Sequence, residues 1–182
     1  MLAVAVIAFP RVAAAQQSFV NLFAGKTLTS ARVDSGDTGC SDAGFGIAFG
    51  SLGNMVSAET EFAYFPQLFD PAAVARSFVV SASGNILIGP TVGPAKIYGA
   101  IGVGDLYVNA TAAAAPTSIA MNYLTLNGGA GVAFFFSSHV AVRADLRYYR
   151  ATGFLPGDLE RVGLQFDRLA LWRPTVGLTL KF

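Results

Sequence analysis

Apolar and polar residues alternate along most of this 182-residue chain, and the alternation is clearest where it ends. In Thr175-Val176-Gly177-Leu178-Thr179-Leu180-Lys181-Phe182 the apolar side chains take every second position. A strand sends successive side chains to opposite faces, so Val176, Leu178, Leu180 and Phe182 share one face. The segment 140–149 has stronger contrast: Val140, Val142, Ala144, Leu146 and Tyr148 on one face, Arg143, Asp145 and Arg147 on the other. Segment 55–65 follows the same rule, with Val56, Ala58, Thr60, Phe62 and Tyr64 opposed to Ser57, Glu59, Glu61 and Ala63.

Eight strand-like segments can be counted between turn signals: 18–29, 43–50, 55–65, 76–88, 96–109, 119–136, 140–149 and 168–182. Short connections, at Ser51-Leu52-Gly53-Asn54, at 90–94 between two prolines, and at Ser137-Ser138-His139, alternate with long ones at 32–42, around Phe69-Asp70-Pro71, at 111–117 and at 152–167. This asymmetry is diagnostic of one fold class, an all-β, eight-stranded antiparallel up-and-down transmembrane β-barrel. The pattern leaves one face undecided, since neither side of 96–109 is plainly the inner one.

Composition agrees with strands in lipid. Hydrophobic residues make up 53% of the chain and charged ones only 13%, against roughly a quarter charged in an ordinary soluble domain. Beyond the first dozen residues no stretch approaches the ~18 consecutive apolar residues that a membrane helix needs, whereas a barrel strand needs only ~9–11 alternating ones. The start, Leu2-Ala3-Val4-Ala5-Val6-Ile7-Ala8-Phe9 followed by Ala13-Ala14-Ala15, reads as the apolar core and cleavage site of an export signal. Residues 1–15 are therefore expected to be a signal peptide and 16–182 the barrel domain. Positive residues before the apolar core are missing and Pro10-Arg11 come late, so the natural start is expected upstream of Met1.

Thr175, Gly177, Leu180 and Phe182 resemble, in kind and spacing, the C-terminal insertion signal of bacterial outer-membrane proteins. The run Gly129-Ala130-Gly131-Val132-Ala133-Phe134-Phe135-Phe136, turning into 140–149, is similar to the small OmpA-like outer-membrane barrel family, and the resemblance covers nearly the whole mature chain. It stops at strand eight, without the peptidoglycan-binding domain of full-length OmpA. The resemblance implies a multi-pass protein of the bacterial outer membrane, with the lipid bilayer and the outer-membrane insertion machinery as partners. Short turns would face the periplasm and long loops the outside.

With the apolar faces in lipid, the charges must point inward, because an Arg facing lipid at mid-membrane costs ~2–4 kcal/mol. Strands three and seven lie across the lumen from each other in an eight-stranded barrel, so Glu59 and Glu61 are expected to meet Arg143, Asp145 and Arg147, with Arg173 joining from strand eight. Ser81, Ser83, Asn85, Thr125 and Asn127 are placed inside as well, and Trp172 and Pro174 outside. Such a cluster either satisfies buried charges, or forms the gate of a narrow ion path, as the resemblance suggests. Phe62, Tyr64, Tyr148 and Trp172 are expected in the outer aromatic girdle, and Phe134, Phe136 and Phe182 in the periplasmic one.

The remaining features narrow the function. A formal net charge of +1 with scattered Lys and Arg points away from nucleic acid, and lone Cys40 makes neither an internal disulfide nor a metal site. Gly99, Gly102 and Gly104, or Gly128, Gly129 and Gly131, are only superficially like nucleotide loops; they read as interior glycines that make room in a narrow barrel. No cofactor, metal or catalytic group is expected, and the extracellular ligand is left unknown. The leading reading is a non-enzymatic outer-membrane barrel with a structural or surface-interaction role and a narrow, gated ion permeability. A lipid-modifying barrel enzyme is the alternative, disfavoured because the single histidine, His139, falls in a periplasmic turn. A soluble lipocalin-like barrel is the other, and would need the opposite alternation.

Overall fold

The computed structural model of the protein describes residues 17–29, 41–66, 74–112, 118–154 and 170–182. The expected export signal, Cys40 and most of the four long connections lie outside the described residues. Eight long strands are present: β1 (Gln17–Thr29), β2 (Ser41–Leu52), β3 (Val56–Phe65), β4 (Val74–Ile88), β5 (Ala95–Ala112), β6 (Ser118–Phe135), β7 (Val140–Phe154) and β8 (Ala170–Lys181). Each pairs antiparallel with the next, and β8 pairs with β1, so the sheet closes on itself. Closure leaves no sheet edge, which is how a β structure satisfies its backbone away from water. A two-residue strand, Thr91–Val92, folds back on Ala95 and Lys96 through Gly93, whose φ of 58° suits the first central position of such a tight hairpin.

The strands outrun their expected bounds at the long-loop end. Thr111, expected in a loop, continues β5 to Ala112, and Thr152 continues β7 to Phe154. A ladder extends wherever a neighbouring strand satisfies its backbone groups, whether or not the side chains alternate. At the other end β2 runs through Ser51 and Leu52, which were expected in the turn.

Alternation along the strands is the reverse of a soluble barrel's. Large apolar side chains are exposed on the outer wall, among them Leu22, Phe45, Ile101, Leu146 and Val176, while Glu59, Arg147 and Arg173 are 0 to 2% exposed inside. The lipocalin alternative fails on this observation. The inner face of β5 is now settled: Lys96, Tyr98, Ala100, Leu106 and Val108 are buried inside, and Ile97, Ile101 and Val103 point out. That assignment also corrects the reading of the glycines. Gly102, Gly104, Gly129 and Gly131 share the inward positions, whereas Gly99 and Gly128 sit on the outer wall, where an added Cβ would come no closer than 3.8 Å to any atom.

The register gives the stagger of the barrel. Paired residues followed from Val20 through Phe49, Thr60, Gly84, Val103, Leu126 and Arg150 arrive at Ala170, ten residues along β8 from Leu180, the direct partner of Val20. The strands are therefore tilted, and a line drawn across them climbs toward the long-loop end by about one and a quarter residues per strand.

Candidate functional site

The middle of the lumen is a layer of three guanidinium groups and three carboxylates. β7 supplies Arg143, Asp145 and Arg147 by strict alternation, β3 supplies Glu59 and Glu61 from across the barrel, and β8 supplies Arg173. Arg143 Nη1 donates to Glu59 Oε2 at 2.7 Å, and its Nε donates to Asp145 Oδ2 at 2.7 Å. Arg147 binds the other oxygen of Glu59, Oε1, and pairs with Glu61 Oε2 at 3.3 Å and Asp145 Oδ1 at 3.4 Å. Arg173 donates to Glu61 Oε1 and to the Tyr149 hydroxyl. All six residues expected in the cluster thus meet in one connected network, with opposite charges in equal number.

Three partners were not expected in it. The Tyr98 hydroxyl donates to Asp145 Oδ1 at 2.8 Å, the Tyr149 hydroxyl to Glu61 Oε1 at 3.3 Å, and Asn85 Nδ2 to Glu59 Oε1 at 3.3 Å. Tyr98 and Tyr149 also lie under guanidinium groups, Arg143 at 5.1 Å and Arg173 at 4.5 Å from the ring centroids. Tyr149 shares the inward parity of Arg143 and Arg147, and that parity was the signal available. Gly131 faces the same pocket, where a Cβ would approach Asp145 Oδ1 to 2.6 Å, so the Tyr98–Asp145 bond depends on a missing side chain.

Apolar layers cover this one on both sides. Toward the long-loop end lie Phe23, Phe65, Val79, Leu106, Val108 and Tyr123; toward the short-turn end lie Leu87, Ala100, Ala133, Ala141 and Phe135. A cavity of about 280 Å³ opens at the short-turn end beside Gln17, Asn54, Lys96, Ser137 and Lys181, and another of about 10 Å³ lies beside Thr27, Tyr149 and Arg173. They share no lining residue. Lys96, 2% exposed, closes the inner side of the larger cavity and donates to three carbonyls, those of Gly53 (2.6 Å), Asn54 (3.2 Å) and Gly89 (3.3 Å). It ties the first two short turns together.

His139 is exposed in the third short turn, with Nδ1 2.7 Å from the hydroxyl of its neighbour Ser138. Among the described residues no carboxylate bonds its ring. At the C-terminus Thr175 and Gly177 face inward, while Leu180 (45% exposed) and Phe182 (71%) face out. Gly177 lets β8 approach β1, since a Cβ there would lie 2.6 Å from the Leu22 carbonyl. Rings mark the outer wall near the long-loop end in two groups: Phe45, Tyr64, Phe78 and Tyr107 in a row with centroids 5.8 to 6.1 Å apart, and Tyr148 beside Trp172 at 5.0 Å.

An apolar outer wall around a charged, closed interior has a clear relative: the profile of the outer membrane protein β-barrel domain family matches residues 1–167. The chain belongs to that family. A search of curated proteins returns no match. Among solved structures the barrel is similar to Neisserial surface protein A, with a TM-score of 0.70, 13% identity, and 91% of this chain and 97% of that one covered. It is similar also to OprG of Pseudomonas aeruginosa (TM-score 0.64, 15% identity, 92% and 96% covered) and to Ail, the attachment invasion locus protein of Yersinia pestis (0.63, 13%, 93% and 100%). Identities this low establish the fold these proteins share, an outer-membrane barrel.

Proposed function

We propose that this protein is a closed outer-membrane barrel that acts at its surface: a rigid, charge-braced stave that presents its long connections outside the cell. The observation that carries this reading is the lumen itself. Three Arg and three acidic residues are bonded to one another between two apolar layers, and a barrel of eight strands has room for little beyond its own side chains. Short turns face the periplasm, following export and C-terminal insertion through Thr175, Gly177, Leu180 and Phe182. Two of the structurally similar barrels are a surface protein and an attachment invasion locus protein, which accords with a surface role. No catalytic step is assigned to it.

Ion permeability through a rearranged charged layer is the second reading, and the six ionic side chains of that layer favour it. Conductance of the folded protein in a planar bilayer separates the two, with insertion verified by protease protection. A silent, correctly inserted barrel supports the surface role. Small discrete steps that change in a Glu59→Ala/Glu61→Ala variant would replace it with a gated path.

A further inference from the structure

Among the residues whose side chains are described, the outer wall carries three charges: Lys26 on β1, Asp105 on β5 and Arg150 on β7. Arg150 lies beyond Tyr148 of the ring group, toward the long connections. Lys26 and Asp105 sit lower, on walls four strands apart, which in a closed sheet of eight are opposite sides of the barrel. Neither makes an ion pair with a described residue, and Asp105 Oδ1 is buried against the wall without a hydrogen-bond partner.

The stagger places the two at one depth. Pairing leads from Ala24 through Phe45, Tyr64 and Val80 to Tyr107, so Lys26, two residues further on, lines up with Asn109. Half a circuit of the barrel accounts for half of the ten-residue climb, about five residues, which brings Lys26 level with residue 104, next to Asp105. A positive and a negative charge therefore stand on opposite walls at equal height, both level with the upper aromatic rings.

The walls beneath them differ in shape. Below Asp105 on β5 come Val103 (47% exposed) and Ile101 (60%), then Gly99, with Gly128 and Ala130 beside them on β6; the interior requires neither glycine, because a Cβ would come no closer than 3.8 Å to any atom at Gly99 or Gly128. Below Lys26 come the small Ala24 and then Leu22 (55% exposed), with Val176 (61%) and Leu178 (46%) beside them on β8. In lipid, small residues permit close approach, and association rests on packing and polar contacts.

We propose that copies of this chain associate side by side in the outer membrane, the Lys26 wall of one seated on the Asp105 wall of the next. All copies insert in the same orientation, so a simple translation in the membrane plane brings the charges together and sets the small Ala24 against Val103. A contact between opposite walls is heterologous and does not close, so it builds rows. Two-fold dimers would set like charges together.

Oxidative cross-linking in reconstituted vesicles tests this. In a Cys40→Ser background, Ala24→Cys barrels are mixed with Val103→Cys barrels and oxidised with copper phenanthroline; folding of every variant is checked by far-ultraviolet circular dichroism. The mixture is expected to give disulfide-linked pairs well above either variant alone. Lys26→Asp in the first variant, or Asp105→Lys in the second, should each lower the yield about fivefold, the worth of an ion pair at the upper end of the exposed range. Combining both reversals should restore it, a rescue that a folding defect would not produce. Equal linking within and between variants, or yields that ignore the reversals, would overturn the proposal.

Discussion

β7 and β5 lie two strands apart in the same barrel and handle charge in different ways. On β7 every inward charge has an opposite charge in contact: Arg143 and Arg147 reach Glu59, and Asp145 lies between them. On β5 the charges fall on both faces, and neither meets its opposite. Lys96 points in and is held by three backbone carbonyls, and Asp105 points out with one oxygen unpartnered. Contact with opposite charge makes the first strand a brace for the lumen; on the second, one charge fastens turns and the other is left for a neighbour. How much each charge matters to the fold therefore follows from what surrounds it.

Breaking the brace should have the largest effect. Glu59→Ala removes the carboxylate that bridges Arg143 and Arg147 and leaves the closed layer with one positive charge in excess, and losing one member of a buried ion group costs ~3–5 kcal/mol. The midpoint of urea unfolding in lipid vesicles is expected to fall accordingly, and a midpoint within error of the parent would show the layer to be dispensable. Gly131→Ala pushes a methyl group toward Asp145 and Tyr98 and should destabilise by ~1–3 kcal/mol, whereas Gly99→Ala on the open outer wall should cost nothing measurable. If the two alanine variants unfold alike, the assignment of one glycine inward and the other outward is wrong.

Lys96→Met compares the other kind of charge with β7. It removes one cation and leaves up to three carbonyls short of a donor, a loss of ~1–3 kcal/mol, with the first two short turns opening to periplasmic-side protease before the barrel unfolds. Protease resistance equal to the parent's would mean that water replaces the ammonium without loss. Smallest is Asp105→Asn. Charged groups near the membrane interface carry ~0–1 kcal/mol, so folding stability should hardly move while association between barrels declines. A large loss of stability from this change alone would place Asp105 in the fold and not at its surface.

Periodicity made most of the barrel legible. Where a strand puts all its charges on one face, as in 55–65 and 140–149, the inner face follows at once, and with it the meeting of Glu59, Glu61, Arg143, Asp145, Arg147 and Arg173. Segment 96–109 resisted because Lys96 and Asp105 have opposite parity and its glycines offer no side chain to weigh. For the same reason Gly99 and Gly128 were grouped with the interior glycines, although they line the outer wall.

The sequence by itself determined what alternation and composition control: strands in place of helices, their number and sequential order, lipid outside and charge inside. These are local properties, set by side chains two residues apart and by the solvent each face must meet. Only the tertiary structure decided which oxygen of each carboxylate meets which guanidinium, that two tyrosines complete the ion network, and that Lys26 and Asp105 share a depth. Those depend on register, and register accumulates around the closed sheet through pairings between residues up to 162 positions apart, as Phe19 and Lys181 are. No window of sequence contains that sum.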